Sequence, residues 1–161
     1  MPRLLMFATP TPFLSRVYSP DHAVGVGGRN LRKDVLLVQF LLAAAQTRPE
    51  VFEGVTRDYS RDASGRNIRI GIDGVCGVAT LTAIRRFQEL YDTGVDAALT
   101  MIHDGRIDPA TRSMMGARRG HVLGIGRLNM LYQIQFGENA HARLFADPLF
   151  PPELYEDFFV R

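Results

Sequence analysis

DGVCGVATLTAIRRFQ, residues 73 to 88, writes a tight turn, a helix start and an amphipathic helix in one run. Asp73-Gly74 makes the turn: glycine tolerates positive φ, and the Asp side chain can accept from backbone amides ahead. Gly77 permits a second sharp change of direction. Thr80 is placed to cap the helix through its hydroxyl. Ile84, Phe87 and Tyr91 then recur at helical spacing beside Ala83 and Leu90, and Gly94 is the expected stop. Further along, DGRIDPAT, residues 104 to 111, repeats the opening. Asp104-Gly105 turns again, and Thr111 leads into a short helix over 111–116.

Upstream, VGVGGRN (24–30) lacks the third glycine of a dinucleotide cradle, because Asn30 stands there. Its glycines read instead as a tight lead-in, with Asn30 as N-cap of the next helix. Val35, Val38, Leu41, Leu42 and Ala45 form that helix's apolar stripe, widened by Leu36 and Leu37, and Pro49 disfavours helix at Arg48. Residues 51–72 read as an insertion. Ile68, Ile70 and Ile72 alternate with Arg69 and Gly71, the period of a half-buried strand, so a short β-hairpin is expected within about 55–72. A last helix over about 122–136 carries Leu128, Leu131, Tyr132 and Gln135, with Gly137 as its C-terminal cap. Residues 1–23 read as an extended, proline-rich arm. Residues 138–161 read as an aromatic and acidic tail that either wraps the domain (24–137) or docks on a partner.

The 161 residues, 46% hydrophobic and 22% charged, suit one globular domain with trimmings. The formal net charge is only +2. Arginines are scattered beside acids rather than gathered into a stripe with aromatics, which excludes a typical nucleic-acid face. The local cluster Arg112, Arg118, Arg119 and Arg127 reads as a solvated surface. The single cysteine, Cys76, cannot form an internal disulfide and reads as an inert thiol in the turn. Leu4–Ala8 is too short for a secretory apolar core, and no stretch approaches a membrane span. Synthesis in the cytoplasm without a recognisable signal is expected, with any export to the periplasm or beyond relying on a signal-independent machine.

No catalytic or metal constellation stands out. His22, His103, His121 and His141 have no ligand spacing, no G-x-S-x-G elbow is present, and a Cys76–His103 dyad has no evident orienting group. Glu50, Glu53 and Glu89 read as helix ends or solvated groups rather than the paired carboxylates of glycoside hydrolysis. The chain is expected to be non-enzymatic, with no cofactor and no metal.

Taken together, DVLLVQFLL, IDGVCGVATLTAIRRFQ and DGRIDPAT resemble the peptidoglycan-binding-domain-like family, over about residues 30–116. Val38, Gln39, Leu41, Leu42, Asp73, Gly74, Gly77, Thr80, Ala83, Ile84, Phe87, Gln88, Asp104, Gly105 and Thr111 fall on its pattern. Val78 replaces its usual proline, and Asp108 stands where glycine is frequent. The resemblance implies a mainly α fold: a small orthogonal helical bundle, here with a hairpin insertion and an extra C-terminal helix. It implies a non-catalytic module for cell-wall peptidoglycan, associated with a lytic system. The alternative is an interaction adaptor or structural component of a type VI secretion or phage-tail-like machine. Most matched residues are structural. For a ligand rich in carboxylates and amides, Arg66, Asn67 and Arg69 on the hairpin and Arg85 on the helix are the candidate contacts.

Overall fold

The computed structural model describes residues 1–6, 15–52, 54–91, 100–110, 117–118 and 121–159. At its centre lies α1 (Arg32–Ala45), which is buried on nearly every side, from Asp34 through Leu42 and again at Ala44 and Ala45. A helix that is apolar all round must be covered all round. Here the cover comes from α2 (Val78–Tyr91), α3 (Gly124–Phe136) and the C-terminal segment. The α2 stripe behaves as its spacing demands: Ala83, Ile84, Phe87 and Tyr91 are buried, while Arg85 and Glu89 face outward.

The mainly α expectation is overturned. Helix accounts for 44% of the structure and strand for 16%, which makes the fold mixed α/β. The strands form separate two-stranded ladders, all antiparallel. β1 (Arg3–Met6) pairs with β2 (Arg16–Ser19), Arg3 opposite Ser19. The N-terminal segment read as an arm is thus partly a ladder, whose inner strand buries Val17 and Tyr18. β3 (Val24–Gly25) pairs with β6 (Arg106–Ile107), so the glycine-rich lead-in docks directly on the second Asp-Gly turn. β4 (Glu50–Phe52) pairs with β5 (Val55–Arg57), and β7 (Ala117–Arg118) with β8 (His121–Val122). All of the described strands are two to four residues long, too short to carry an alternating pattern.

The insertion's regular ladder is therefore β4–β5, earlier than the isoleucine run suggests. Ile68, Ile70 and Ile72 do turn inward while Arg69 and Gly71 stay exposed, but the run belongs to no ladder. Its start closes a second turn: Arg61 bridges Asn67, and the Ile68 amide donates to the Ser60 carbonyl at 2.7 Å.

Two expected caps are replaced by other devices. Asn30 has φ 50, outside the extended geometry of an N-cap. Its side chain ties the glycine loop together, accepting from the Gly25 amide and donating to the Gly25 and Gly28 carbonyls. Leu31 precedes α1 with no side-chain cap. Thr80 lies inside the first turn of α2, whose start is marked by the Leu81 amide donating to the Gly77 carbonyl. Gly137 does end α3, at φ 91. Gly94, Thr111 and the short helix expected over 111–116 lie outside the described residues.

α4 (Glu138–Ala142), two 3-10 turns (Leu144–Ala146 and Pro152–Leu154) and α5 (Tyr155–Phe159) complete the chain. Leu144, Phe150 and Leu154 are buried, Phe150 lies edge-on to Phe40 at 5.3 Å, and Phe158 lies edge-on to Tyr18 at the same separation. Arg32 grips Glu153 with two hydrogen bonds, and Lys33 pairs with Asp157.

Candidate functional site

The two Asp-Gly phrases fold into the same object. In the first, the Gln39 side chain reaches out of α1. Its Oε1 accepts from the Asp73 and Gly74 amides at 3.1 and 2.8 Å. Its Nε2 donates to Asp73 Oδ1, the Val75 carbonyl and Thr80 Oγ1. Asp73 Oδ1 also accepts from the Val75 amide, the local bond an Asp-Gly turn makes. In the second, Gln88 reaches out of α2. Its Oε1 accepts from the Gly105 amide at 2.9 Å, and its Nε2 donates to Asp104 Oδ1 and the Arg106 carbonyl. Asp104 Oδ1 accepts from the Arg106 amide. Each helix thus holds one corner through one buried glutamine, and both glutamines are 1–2% exposed.

Glycine is required at both turning positions. Gly74 has φ 74 and Gly105 φ 70, where side chains are disfavoured. Space is closed as well: a Cβ on Gly74 would meet the Arg32 side chain at 2.8 Å, and one on Gly105 would meet Val26 at 3.0 Å and Arg85 Nε at 3.3 Å. The hydrogen bonds from the Val75 amide and from Gln39 hold the Asp73 carboxyl below its ordinary range, so the corner is built around an ionised Asp73.

The four candidate contacts fall into two groups. Asn67 and Arg69 line a shallow groove against the C-terminal half of α1, opposite Ala43, Gln46 and Thr47. Arg66 is exposed at the neighbouring turn, its backbone amide held by Asp62. Arg85 stands apart from them, exposed on α2 and packed over Gly105 at the second corner. Several surface arginines are committed to acids, among them Arg32 to Glu153, Arg61 to Asp58 and Arg106 to Asp108, whereas exposed Arg29, Arg48 and Arg143 pair with no acid among the described residues. Arg66, Arg69 and Arg85 form no salt bridge among the described residues. Around the first corner the surface is apolar, with Val75 61% and Val78 82% exposed.

No family model, curated protein or solved structure matches the chain.

Sequence reasoning missed a buried charge cluster. Glu50, read as a helix end or solvated group, is almost wholly buried. It accepts from Arg57 Nη1 at 3.2 Å, from the Tyr59 hydroxyl at 2.7 Å, and from Arg127 Nη2. Arg127, placed with a solvated cluster, is only 6% exposed and lies over the Tyr91 ring. Burial pushes the Glu50 carboxyl up, but the Arg127 charge and the bonds from Tyr59, Arg127 and Arg57 outweigh it, leaving the carboxyl below its ordinary range. The cluster ties the β4–β5 ladder to α3. Spacing could not reveal it, because the partners are 7 and 77 residues away.

The remaining nucleophiles and ligands are quiet. Burial pushes the Cys76 thiol up, so it stays protonated at neutral pH. His141 is buried, its Nε2 3.0 Å from Asn129 Oδ1, and burial lowers its pKa to about 4. Asn129 in turn pins β2 to α3, accepting from the Tyr18 amide and donating to the Tyr18 carbonyl. No group of three His, Cys, Asp or Glu among the described residues could hold a metal ion. No described helix is long and apolar enough to cross a membrane.

Proposed function

We propose that the chain is a non-catalytic module that binds bacterial cell-wall peptidoglycan. The observation carrying this reading is the paired corner. Gln39, Asp73, Gly74, Thr80, Gln88, Asp104 and Gly105 bear the family resemblance, and they are the residues joined by the two glutamine clamps. The clamps hold the two turns, α2 sets Arg85 against the second, and the insertion sets Arg69 in the groove along α1. The wall supplies matching acids: lactyl groups and the carboxylates of its peptide stems. An arginine can clamp such a carboxylate with two parallel bonds.

Purified protein should sediment with isolated sacculi, and Arg69→Ala with Arg85→Ala should release it while circular dichroism stays native. The same incubation should liberate no soluble wall fragments. Wild-type protein that stays in the supernatant overturns the wall reading, and fragments released in proportion to protein overturn the non-catalytic one.

A second reading is an adaptor in a secretion or phage-tail-like machine, favoured by the exposed Val75 and Val78 at the first corner. On that reading Val78→Asp, and not the arginine pair, abolishes capture of the machine's own components.

A further inference from the structure

Residues 69–72 alternate in burial, Ile70 and Ile72 turned inward and Arg69 and Gly71 exposed, yet their pairing stops short. The Ile68 amide is the last backbone group of this run to find a backbone partner, at Ser60. Beyond it, the amides and carbonyls of Arg69, Ile70, Gly71 and Ile72 make no hydrogen bond among the described residues. An extended run with free backbone groups is a template for another strand. It borders a trough. The groove past Asn67 and Arg69 shares Ala43 and Ile70 with a second groove, which continues past Leu36, Ile72 and Phe150 to the prolines at 148–152.

We propose that this trough takes a peptide stem of the wall as an added strand along residues 69–72, a reading that rests on the wall-binding function proposed above. Charge picks this occupant. Arg69 stands exposed at the rim without an ion pair, whereas Glu153, the one acid of the lining, is held by Arg32 at 2.9 and 2.7 Å. The trough therefore offers an uncommitted cation and no uncommitted carboxylate, the complement of a short peptide bearing several acids. Its lining is mixed, with Gln46, Thr47 and Ser60 at one end and Leu36, Ile72 and Phe150 at the other, so it offers both polar and apolar contacts. Strand addition supplies affinity through main-chain bonds and leaves selectivity to such shallow contacts. The four positions 69–72 span about 13 Å at strand rise, room for a stem of about four residues.

The test uses the full chain bound to intact sacculi. A soluble tetrapeptide released from sacculi, of alternating L and D residues with free carboxylates, should displace it. Glycan strands stripped of peptide by an amidase should bind it at least tenfold more weakly. Arg69→Glu and Gly71→Pro, the second removing an amide hydrogen, should each weaken binding tenfold or more at an unchanged melting midpoint. If Gly71→Pro lowers the midpoint, Arg69→Glu alone decides. Stripped glycan binding as well as intact sacculi, or variants binding like wild type, overturns the strand while leaving wall binding intact. A linear acidic peptide of L residues displacing the protein as well as the stem does assigns the trough to a protein partner and overturns it too. Wild-type protein that never sediments with sacculi removes the wall reading and this proposal together.

Discussion

Replacing Gln39 with alanine should cost far more than an average surface change. The side chain is 1% exposed and answers both the Asp73 and Gly74 amides while donating to Asp73, Val75 and Thr80. In Gln39→Ala the two amides lose their acceptor, and Gly74 is buried. A stranded buried donor costs about 1–3 kcal/mol, and each lost neutral bond about 1 kcal/mol where water can replace it. Counting Gly74 at the upper part of that range and Asp73 at the lower gives a loss of about 3–4 kcal/mol. Gln88→Ala strands one amide, Gly105, and should cost about 2 kcal/mol by the same reasoning. Urea midpoints for the two variants and for exposed Glu89→Ala measure this. Gln39→Glu adds a sharper check. It replaces the donors with a carboxylate facing Asp73, so at neutral pH it should destabilise at least as much as alanine. A Gln39→Ala midpoint equal to that of Glu89→Ala would show that the corner does not depend on its clamp.

Two further outcomes are expected. His141 is neutral in the fold, with its pKa lowered to about 4 from an ordinary 6.5, so the unfolded chain binds the extra proton between those values. The stabilisation is complete above pH 6.5 and falls away as pH drops toward 4, by about 3 kcal/mol; a His141→Gln variant should show a flatter stability profile across that window. Glu50→Ala leaves Arg57 and Arg127 without their shared buried carboxylate and should cost about 3–5 kcal/mol in chemical denaturation, whereas a loss under 1 kcal/mol would place the cluster in solvent.

The three long helices were legible because their signal is periodic and local, whereas the short α4 and α5 lie in the stretch read as a tail. Val35, Val38, Leu42, Ile84 and Phe87 lie in the core their spacing assigned. The Asp-Gly turns were legible because glycine at positive φ has few substitutes. The mixed α/β character was not, since strands such as Val24–Gly25 and Arg106–Ile107 arise from two loops meeting across the fold. The same blindness to distance hid Glu50, whose partner Arg127 reads as one more surface cation until α3 packs. It also hid the true role of Thr80, whose hydroxyl looks like a helix cap in sequence and becomes an acceptor for Gln39 in space. Among the candidate contacts, adjacency in sequence kept Arg66, Asn67 and Arg69 together. Arg85, chosen for its place on the helix, packs apart from them against the second corner.

The most direct test of the wall-binding account is a chemical-shift map of the backbone amides during titration with soluble peptidoglycan fragments carrying both sugar and stem peptide. The account predicts shifts concentrated at Asn67, Arg69, Gly71 and Arg85 and their corners, saturating with fragment concentration, with β1, β2 and α5 unmoved. An absence of saturable shifts, or shifts confined to the C-terminal segment, would contradict it.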